Sequence, residues 1–303
     1  MSTFPLCIHT LDCEGAGAAE SIPSGQQQTM EPENVRLTIC NSNVEICTTD
    51  GLVVPERIGG LGNQMFVITA AYIYGRECNK ELRIEASDGR NPHASSDYCD
   101  SIFKGFKLHS ADNSTFRSLV QRQAFDAWEC SYIPGNVRML GYFQYYTPFL
   151  KYEEEIRSLF TNNIADVDTS CIDSKAVAIH VRRGDYLKLP EFYYIQSEDY
   201  YRHAMSFFPE TVNFVIFSDD LDWCKAQTLF LSSRFSFIEE VNEVHAMAKM
   251  AAVKGGAICA NSTFSWWSAF LGPHSVRAPV VVPASRWIAL SITDLFPSEW
   301  IRL

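Results

Sequence analysis

The second half of the chain alternates short apolar runs with longer mixed segments. The runs have the length of buried strands and occur at residues 176–181, 212–217, 235–238, 257–260 and 279–282. The segments between them predict helices at residues 198–208, 221–230, 244–254 and 262–271. Continuous apolar runs alternating with helices are typical of a doubly wound parallel sheet, an α/β fold whose ligands bind beyond the carboxyl ends of the strands.

The first half shows one similar unit. A strand is predicted at residues 52–58, with Pro55 making it an edge or irregular strand, and a glycine loop, a helix at 67–74 and a strand at 81–85 follow. Residues 140–146 predict a strand or turn, and residues 148–160 an acidic helix. We expect a poorly ordered leader at 1–34, an N-terminal Rossmann-like domain at 35–165 and a C-terminal one at 166–303.

Composition and charge narrow the class of protein. The chain of 303 residues is 47% hydrophobic and 20% charged, and its formal net charge is -11. Such an acidic chain is not expected to bind nucleic acid or an anionic membrane through its overall field. No apolar run reaches the roughly 18 residues of a membrane span, and no secretory signal is visible at the N-terminus. The 10 cysteines lack CxxC pairs, which favours a reducing compartment. We expect a soluble, cytoplasmic protein.

The motif HVRRGDY at residues 180–186 follows a predicted buried strand. Arg182 and Arg183 can therefore project into the cleft at the carboxyl end of that strand. Guanidinium groups match phosphate oxygens and stay charged at any working pH, so they suit a diphosphate leaving group. A solvated surface turn is the alternative interpretation.

Two strand-to-helix turns could also bind phosphate. Gly59–Gln64 is glycine-rich and precedes a helix, although it matches neither a Walker loop nor GxGxxG, and a plain tight turn is the simpler interpretation. The turn ANST at residues 260–263 supplies Ser262 and Thr263, which are natural helix N-caps and also suit phosphate. Trp266 and Trp267 behind it are typical of a core.

Acidic residues also follow one strand, at Ser218-Asp219-Asp220. A solvated helix start explains them more simply than a metal, because no His, Cys or Asp cluster with metal-ligand spacing appears in the sequence.

Five segments, in this order, resemble the alpha-1,2-fucosyltransferases of glycosyltransferase family 11. They are GGLGNQMF at 59–66, GYFQ at 141–144, HVRRGDY at 180–186, FSDDLDW at 217–223 and ANSTFSWW at 260–267. The resemblance implies a GT-B-type architecture, in which two Rossmann-like domains face a cleft. It further implies a metal-independent enzyme without a cofactor, which inverts the anomeric centre as it transfers L-fucose from GDP-fucose to the 2-hydroxyl of a galactose in a glycan.

The resemblance also carries over site residues. Arg182 resembles the arginine that holds the pyrophosphate of the donor, and Asn63 resembles a residue that reaches the donor from the N-terminal domain. The other positions carried over as donor-binding are Gly60, Gly62, Gln64, His180, Arg183, Asn261, Ser262, Thr263 and Ser265.

The sequence departs from the family pattern at one position. Family members usually have an Asp on the helix before the ANS turn, and related enzymes use an Asp in that region to bind guanine. Met247 occupies the position here, and the nearest polar residues are Glu243 and His245. We hypothesise that Glu243 takes over the recognition of guanine.

The acceptor hydroxyl needs a base in such a transfer. Asp185 is the first candidate and Glu191 the second, and Asp185 could instead orient Arg183 through an ion pair. Two other functions stay open: a fucosyltransferase of another linkage (alpha-1,6 or protein O-linked), and a decayed module that binds a GDP-sugar or carbohydrate without catalysis.

Overall fold

The computed structural model describes residues 35–40, 43–86, 94, 96–110, 113–272, 278–284, 287 and 294–303. The predicted leader at residues 1–34 lies outside this part. The described part begins with an antiparallel hairpin of β1 (Val35–Cys40) and β2 (Asn43–Thr48).

A four-stranded parallel sheet forms the N-terminal half. Its strands are β3 (Leu52–Pro55), β4 (Glu81–Leu82), β5 (Phe116–Val120) and β6 (Asn136–Leu140), in the order β4-β3-β6-β5. Helix α1 (Leu61–Glu77) connects β3 to β4. A 3-10 turn (Thr147–Tyr152) leads into α2 (Glu153–Ile164), so the predicted acidic helix begins later than its pattern suggested.

Pro55 predicted an edge or irregular strand, and the edge alternative is wrong. Strand β3 is central and pairs with both β4 and β6. Strand β4 pairs only with Leu52 and Val53, and the Val53 carbonyl accepts from the Arg83 N–H at 3.1 Å. The N–H that Pro55 lacks would therefore point to the side of β3 where β4 has already ended, so the sheet loses no hydrogen bond there.

A six-stranded parallel sheet forms the C-terminal half, in the order β12-β11-β10-β7-β8-β9. The strands are β7 (Val177–Val181), β8 (Phe214–Ser218), β9 (Phe235–Phe237), β10 (Ala257–Ile258), β11 (Val280–Val282) and β12 (Ile301–Arg302). The first five confirm the predicted strands. The two-residue β12 has no apolar run that could have revealed it.

Four helices accompany this sheet: α3 (Glu198–Met205), α4 (Leu221–Ala226), α5 (Glu243–Ala251) and α6 (Thr263–Leu271). They confirm the predicted helices, although α3, α4 and α5 end three or four residues early. Side-chain caps fix three of the starts, since Ser197, Asp220 and Asn242 accept hydrogen bonds from the first free N–H groups.

One hydrophobic core joins the two halves through α1 and α6. Trp266 and Trp267 are fully buried, and their ring centroids lie 4.7 and 5.1 Å from the ring of Phe66 on α1. The prediction that the tryptophan pair belongs to the core is confirmed. Because these contacts bring the starts of α1 and α6 together, the loops before both helices open into the same space.

Within the described ranges, none of the helices has the length and apolar character needed to cross a bilayer.

A candidate active-site cleft between the two sheets

A cleft of about 1410 Å³ lies where the carboxyl ends of the two sheets face each other. The C-terminal sheet lines it with segments that follow β7, β8, β9 and β10, and the N-terminal sheet with segments that follow β3, β5 and β6. Strand β7 lies between β8 and β10, and β3 lies between β4 and β6, so the direction of winding reverses in both sheets beside this cleft. Such reversals are the usual ligand sites of doubly wound folds. The predicted GT-B-type α/β architecture is confirmed.

Arg182 lies in the cleft directly after β7. Its guanidinium contacts Asp185 at 2.7 Å and Asp219 at 3.0 Å, and it lies over the ring of Tyr186 at 5.3 Å. Burial acts to lower the pKa of Arg182, but Asp219 and Asp185 outweigh it and raise the pKa above its usual range. The buried Nε of Arg182 has no hydrogen-bond partner. Arg182 is therefore a cation held in the cleft by two carboxylates.

Asp219 braces the loop that carries this cation. One of its oxygens contacts Arg182, and the other accepts from the backbone N–H of Arg183 at 2.9 Å. Gly184 permits this approach, because a Cβ there would lie 2.5 Å from the Asp219 carboxylate. A side chain at position 184 would push the Asp219 carboxylate away from Arg182.

Arg183 faces away from the cleft lining. Its Nε contacts Asp220 at 3.0 Å, and its guanidinium stacks on Trp223 at 3.8 Å. The expected pairing of Asp185 with Arg183 is therefore corrected, since Asp185 pairs with Arg182 instead. The two arginines alternate in direction as the chain leaves β7, and this geometry gives Arg183 a supporting role.

The N-termini of α1 and α6 meet at the cleft. Their N-cap residues, Gly60 and Ser262, make no side-chain capping hydrogen bond. Gly62 lets the two helices touch, because a Cβ there would lie 2.5 Å from the backbone carbon of Thr263. Free N–H groups at a helix start attract anionic oxygens, so the two helices together can bind a diphosphate.

Asn63 links the two sides of the cleft. Its Oδ1 accepts from the Thr263 hydroxyl at 2.8 Å and from the Gln144 amide at 2.9 Å. Asn63, Gln144 and Thr263 all line the cleft. Asn63 therefore contacts the C-terminal half through Thr263. Its contact with a donor stays a prediction.

His180 lines the cleft from the end of β7 and packs against Phe264, with ring centroids 5.3 Å apart. Burial, followed by the charge of Arg182, lowers its pKa to about 3. The imidazole is therefore neutral at any working pH. Its Nδ1 is buried and makes no hydrogen bond, and contact of His180 with a nucleotide stays a prediction.

Glu243 lies at the start of α5 and lines the cleft. Its carboxylate accepts from the Tyr98 hydroxyl at 2.6 Å, which ties α5 to the N-terminal half. Met247, one turn further on, is fully buried in the core. The structure therefore leaves Glu243, and not Met247, in position to meet a ligand.

Three other predicted donor-binding residues support the loops. Gln64 is buried and donates to the Gly59 carbonyl at 3.1 Å, and the Ser265 hydroxyl accepts from the Ala260 N–H at 3.0 Å. Neither lines the cleft. Asn261 does line it, but its amide donates to the carbonyls of two neighbouring loop residues at 2.7 and 2.8 Å. Direct donor contact is not favoured for these side chains.

Several lining residues were missed by the sequence argument. Tyr186 and Tyr193 stack face to face, with ring centroids 4.2 Å apart, and the Tyr186 hydroxyl donates to the Asn261 carbonyl at 2.9 Å. The density of aromatic residues between 186 and 194 was the one available signal. Gln144 lies in the GYFQ segment, but the sequence gave it no role. Tyr98 holds Glu243 without lining the cleft, and it gave no signal because its partner lies far away in the sequence.

Acidic side chains outnumber cations in the cleft lining. The acidic ones are Asp185, Glu191, Asp219, Asp220, Asp222, Glu239, Glu240 and Glu243, and the cations are Arg182 and Lys225. Within the part of the chain that is described, no three His, Cys, Asp or Glu residues are grouped so as to hold a metal ion. An anionic ligand must therefore be held by directed donors more than by the net charge of the cleft, and metal independence stays a prediction.

This fold and cleft define a GT-B-type glycosyltransferase. The model of glycosyl transferase family 11 matches residues 101–303, more than half of the chain. The chain belongs to that family and is an enzyme of the fucosyltransferase type, as the sequence predicted.

Individual relatives agree with the family. An alpha-1,2-colitosyltransferase of Escherichia coli is 27% identical over 292 residues, covering 83% of this chain and 99% of the relative. The galactoside alpha-(1,2)-fucosyltransferase 1 of Homo sapiens is 28% identical over 138 residues, but this match spans only 38% of the human protein. The crystal structure of fucosyltransferase NodZ from Bradyrhizobium is 16% identical, with a TM-score of 0.47 over 75% of this chain and 95% of that chain.

Proposed function

We propose that this chain is an inverting glycosyltransferase that transfers L-fucose from GDP-fucose to the 2-hydroxyl of a terminal galactose. The observation that carries the proposal is the position of Arg182. It lies after the central strand β7, in the same cleft as the N-termini of α1 and α6. One fixed cation and two helix starts from opposite sheets form a site for a diphosphate.

The reaction is a single displacement. The acceptor oxygen forms a bond to fucose C1 as the bond from C1 to the phosphate oxygen breaks, and the electron pair leaves with GDP. Negative charge grows on the phosphates during this step. Arg182 and the backbone N–H groups at the starts of α1 and α6 stabilise that charge, and groups that are already oriented do so without reorganisation.

The acceptor proton needs a base. Asp185 is held by Arg182 at 2.7 Å, which favours an orienting role for its carboxylate. Glu191 lines the cleft on the exposed loop that follows. We assign the proton to Glu191 and the orientation of Arg182 to Asp185.

Guanine recognition is assigned to Glu243. A carboxylate can accept from two N–H groups of guanine, and Glu243 lines the cleft beside the segment after β9. Calorimetry of GDP binding tests this role. We expect Glu243→Ala to weaken binding about tenfold or more, and Tyr98→Phe, which removes only the hydroxyl that holds the carboxylate, to weaken it far less. Equal GDP affinity in the wild type and Glu243→Ala would remove the assignment.

The 2-hydroxyl linkage is supported by the relatives, since the bacterial and human proteins are both named as alpha-1,2 enzymes. A second donor is favoured by one observation: the bacterial relative matched over 99% of its length is a colitosyltransferase. Colitose is fucose without its 3-hydroxyl. An activated colitose is therefore the alternative donor.

One experiment separates these functions. The chain is incubated with lactose and either GDP-fucose or its 3-deoxy analogue, GDP release is measured, and the linkage of the product is determined by NMR. We expect release that depends on lactose, and an alpha-1,2 product from GDP-fucose. Faster turnover of the 3-deoxy donor would favour colitosyl transfer. Transfer to GlcNAc or to protein would indicate another linkage, and binding of GDP without any release would indicate a decayed module.

A further inference from the structure

The loop after Arg182 exposes apolar side chains at the mouth of the cleft. Phe192 is 63% exposed and Leu189 39%, and Tyr142 from the opposite sheet is 37% exposed. All three line the cleft, together with Tyr193. We name Tyr142, Leu189, Phe192 and Tyr193 the acceptor rim. Large exposed apolar groups that cluster at a cleft mark a binding surface.

The loop presents these side chains in a fixed geometry. The backbone N–H groups of Phe192 and Tyr193 both donate to the Leu189 carbonyl at 3.0 Å. The Tyr186 hydroxyl anchors the base of the loop to the ANST turn, and the ring of Tyr186 stacks on Tyr193. The exposed ring of Phe192 therefore lies on a turn that is held by its own backbone hydrogen bonds. The hydrogen bond of Tyr186 attaches the same loop to the wall of the cleft.

The acceptor rim adjoins the reacting groups. Tyr186 lies between Arg182, 5.3 Å away, and the ring of Tyr193, with which it stacks. Burial raises the pKa of Tyr193, and the negative charge of Asp185 raises it further. A ligand on the acceptor rim is thus adjacent to the cation proposed to hold the diphosphate.

The chemistry of the acceptor rim fits a sugar. Two phenol rings and one phenyl ring offer flat apolar faces, while the tyrosine hydroxyls and the carboxylate of Glu191 offer hydrogen bonds beside them. A galactose has the same division, with an apolar face of C–H groups and a polar edge of hydroxyls. A nucleotide diphosphate instead needs the cation and helix starts deeper in the cleft.

We propose that the acceptor rim is the acceptor subsite, and that Phe192 packs its ring against the apolar face of the acceptor galactose. This inference rests on the proposed function. It assigns the substrate of that site to specific side chains and predicts that Phe192 affects acceptor binding without affecting the donor.

The test compares Phe192→Ala and Phe192→Tyr with Leu231→Ala, which removes a side chain that is 67% exposed and does not line the cleft. We expect Phe192→Ala to raise KM for lactose about tenfold, as loss of an aromatic contact typically does, with little change in kcat. Phe192→Tyr keeps the ring and should restore KM, and Leu231→Ala should match the wild type. GDP affinity by calorimetry should be equal in all four proteins.

The result that would overturn the inference is an unchanged KM for lactose in Phe192→Ala while transfer proceeds. If the proposed function itself is wrong, the result is different, because neither the wild type nor any variant then releases GDP in the presence of lactose. In that case saturation-transfer NMR of methyl β-galactoside on the GDP-bound proteins decides. A signal lost in Phe192→Ala and kept in Phe192→Tyr supports the acceptor rim, and an absent or equal signal in all of them rejects it.

Discussion

The two faces of the cleft differ in the kinds of groups that form them. The C-terminal face contains charged side chains that pair with one another, with Asp219 and Asp185 on Arg182 and Asp220 on Arg183 behind the lining. The N-terminal face consists mainly of the glycine-loop backbone and the amides of residues 63 and 144. The C-terminal face therefore supplies charge for the chemistry, while the N-terminal face supplies close approach and fixes how the halves meet.

The largest effect is expected from the charge on the C-terminal face. Arg182→Ala should lower transfer by about 100-fold or more, because Asp185 and Asp219 would then face the phosphates without their shared cation. Activity is measured by GDP release, and circular dichroism checks the fold. Arg182→Lys keeps the charge but loses the fork, and should retain more activity than the alanine variant. More than a tenth of wild-type activity in Arg182→Ala contradicts the role.

The two carboxylates near this charge should differ in their effect on kcat. Glu191→Gln should lower kcat about 100-fold, because it lacks the proton acceptor. Asp185→Asn should lower kcat less, because it only loosens Arg182. A larger loss of kcat in Asp185→Asn than in Glu191→Gln would exchange the two roles.

On the N-terminal face, a substitution is expected to lower the free energy of unfolding. Gly62→Ala places a Cβ 2.5 Å from the backbone carbon of Thr263, and overpacking of this kind costs about 1–3 kcal/mol. Urea unfolding should show that loss, and transfer should fall as the starts of α1 and α6 move apart. An unfolding midpoint equal to that of the wild type would contradict the close contact.

The smallest effect is expected from His180. Its pKa falls from 6.5 unfolded to about 3 in the fold, so the unfolded chain binds the proton more readily. The stability linked to the neutral imidazole is complete above pH 6.5 and is lost as the pH falls towards 3, at up to about 1.4 kcal/mol per pH unit. His180→Gln should flatten that dependence in urea unfolding measured from pH 7 to pH 5. Equal slopes for variant and wild type would contradict burial of the imidazole.

The fold could be predicted largely from local pattern, because buried parallel strands appear as continuous apolar runs. Strand β5 was not predicted, since its residues are exposed or half-buried and show no such run. The motif HVRRGDY by itself did not separate the roles of its two arginines, and only the family resemblance singled out Arg182. Arg182 and Arg183 are adjacent and chemically equal, and only the contacts of Arg183 with Asp220 and Trp223 show which one turns away.

The sequence by itself determined the family, the alternation of strands and helices, and the turns at which polar residues follow strands. These features depend on neighbours along the chain. Tertiary structure alone decided that Asn63 meets Thr263, 200 positions away, and that Asp219 braces Arg182. It also decided that an aromatic loop reaches the mouth of the cleft. Such contacts depend on how two sheets pack through α1 and α6, and that packing is set by the whole core.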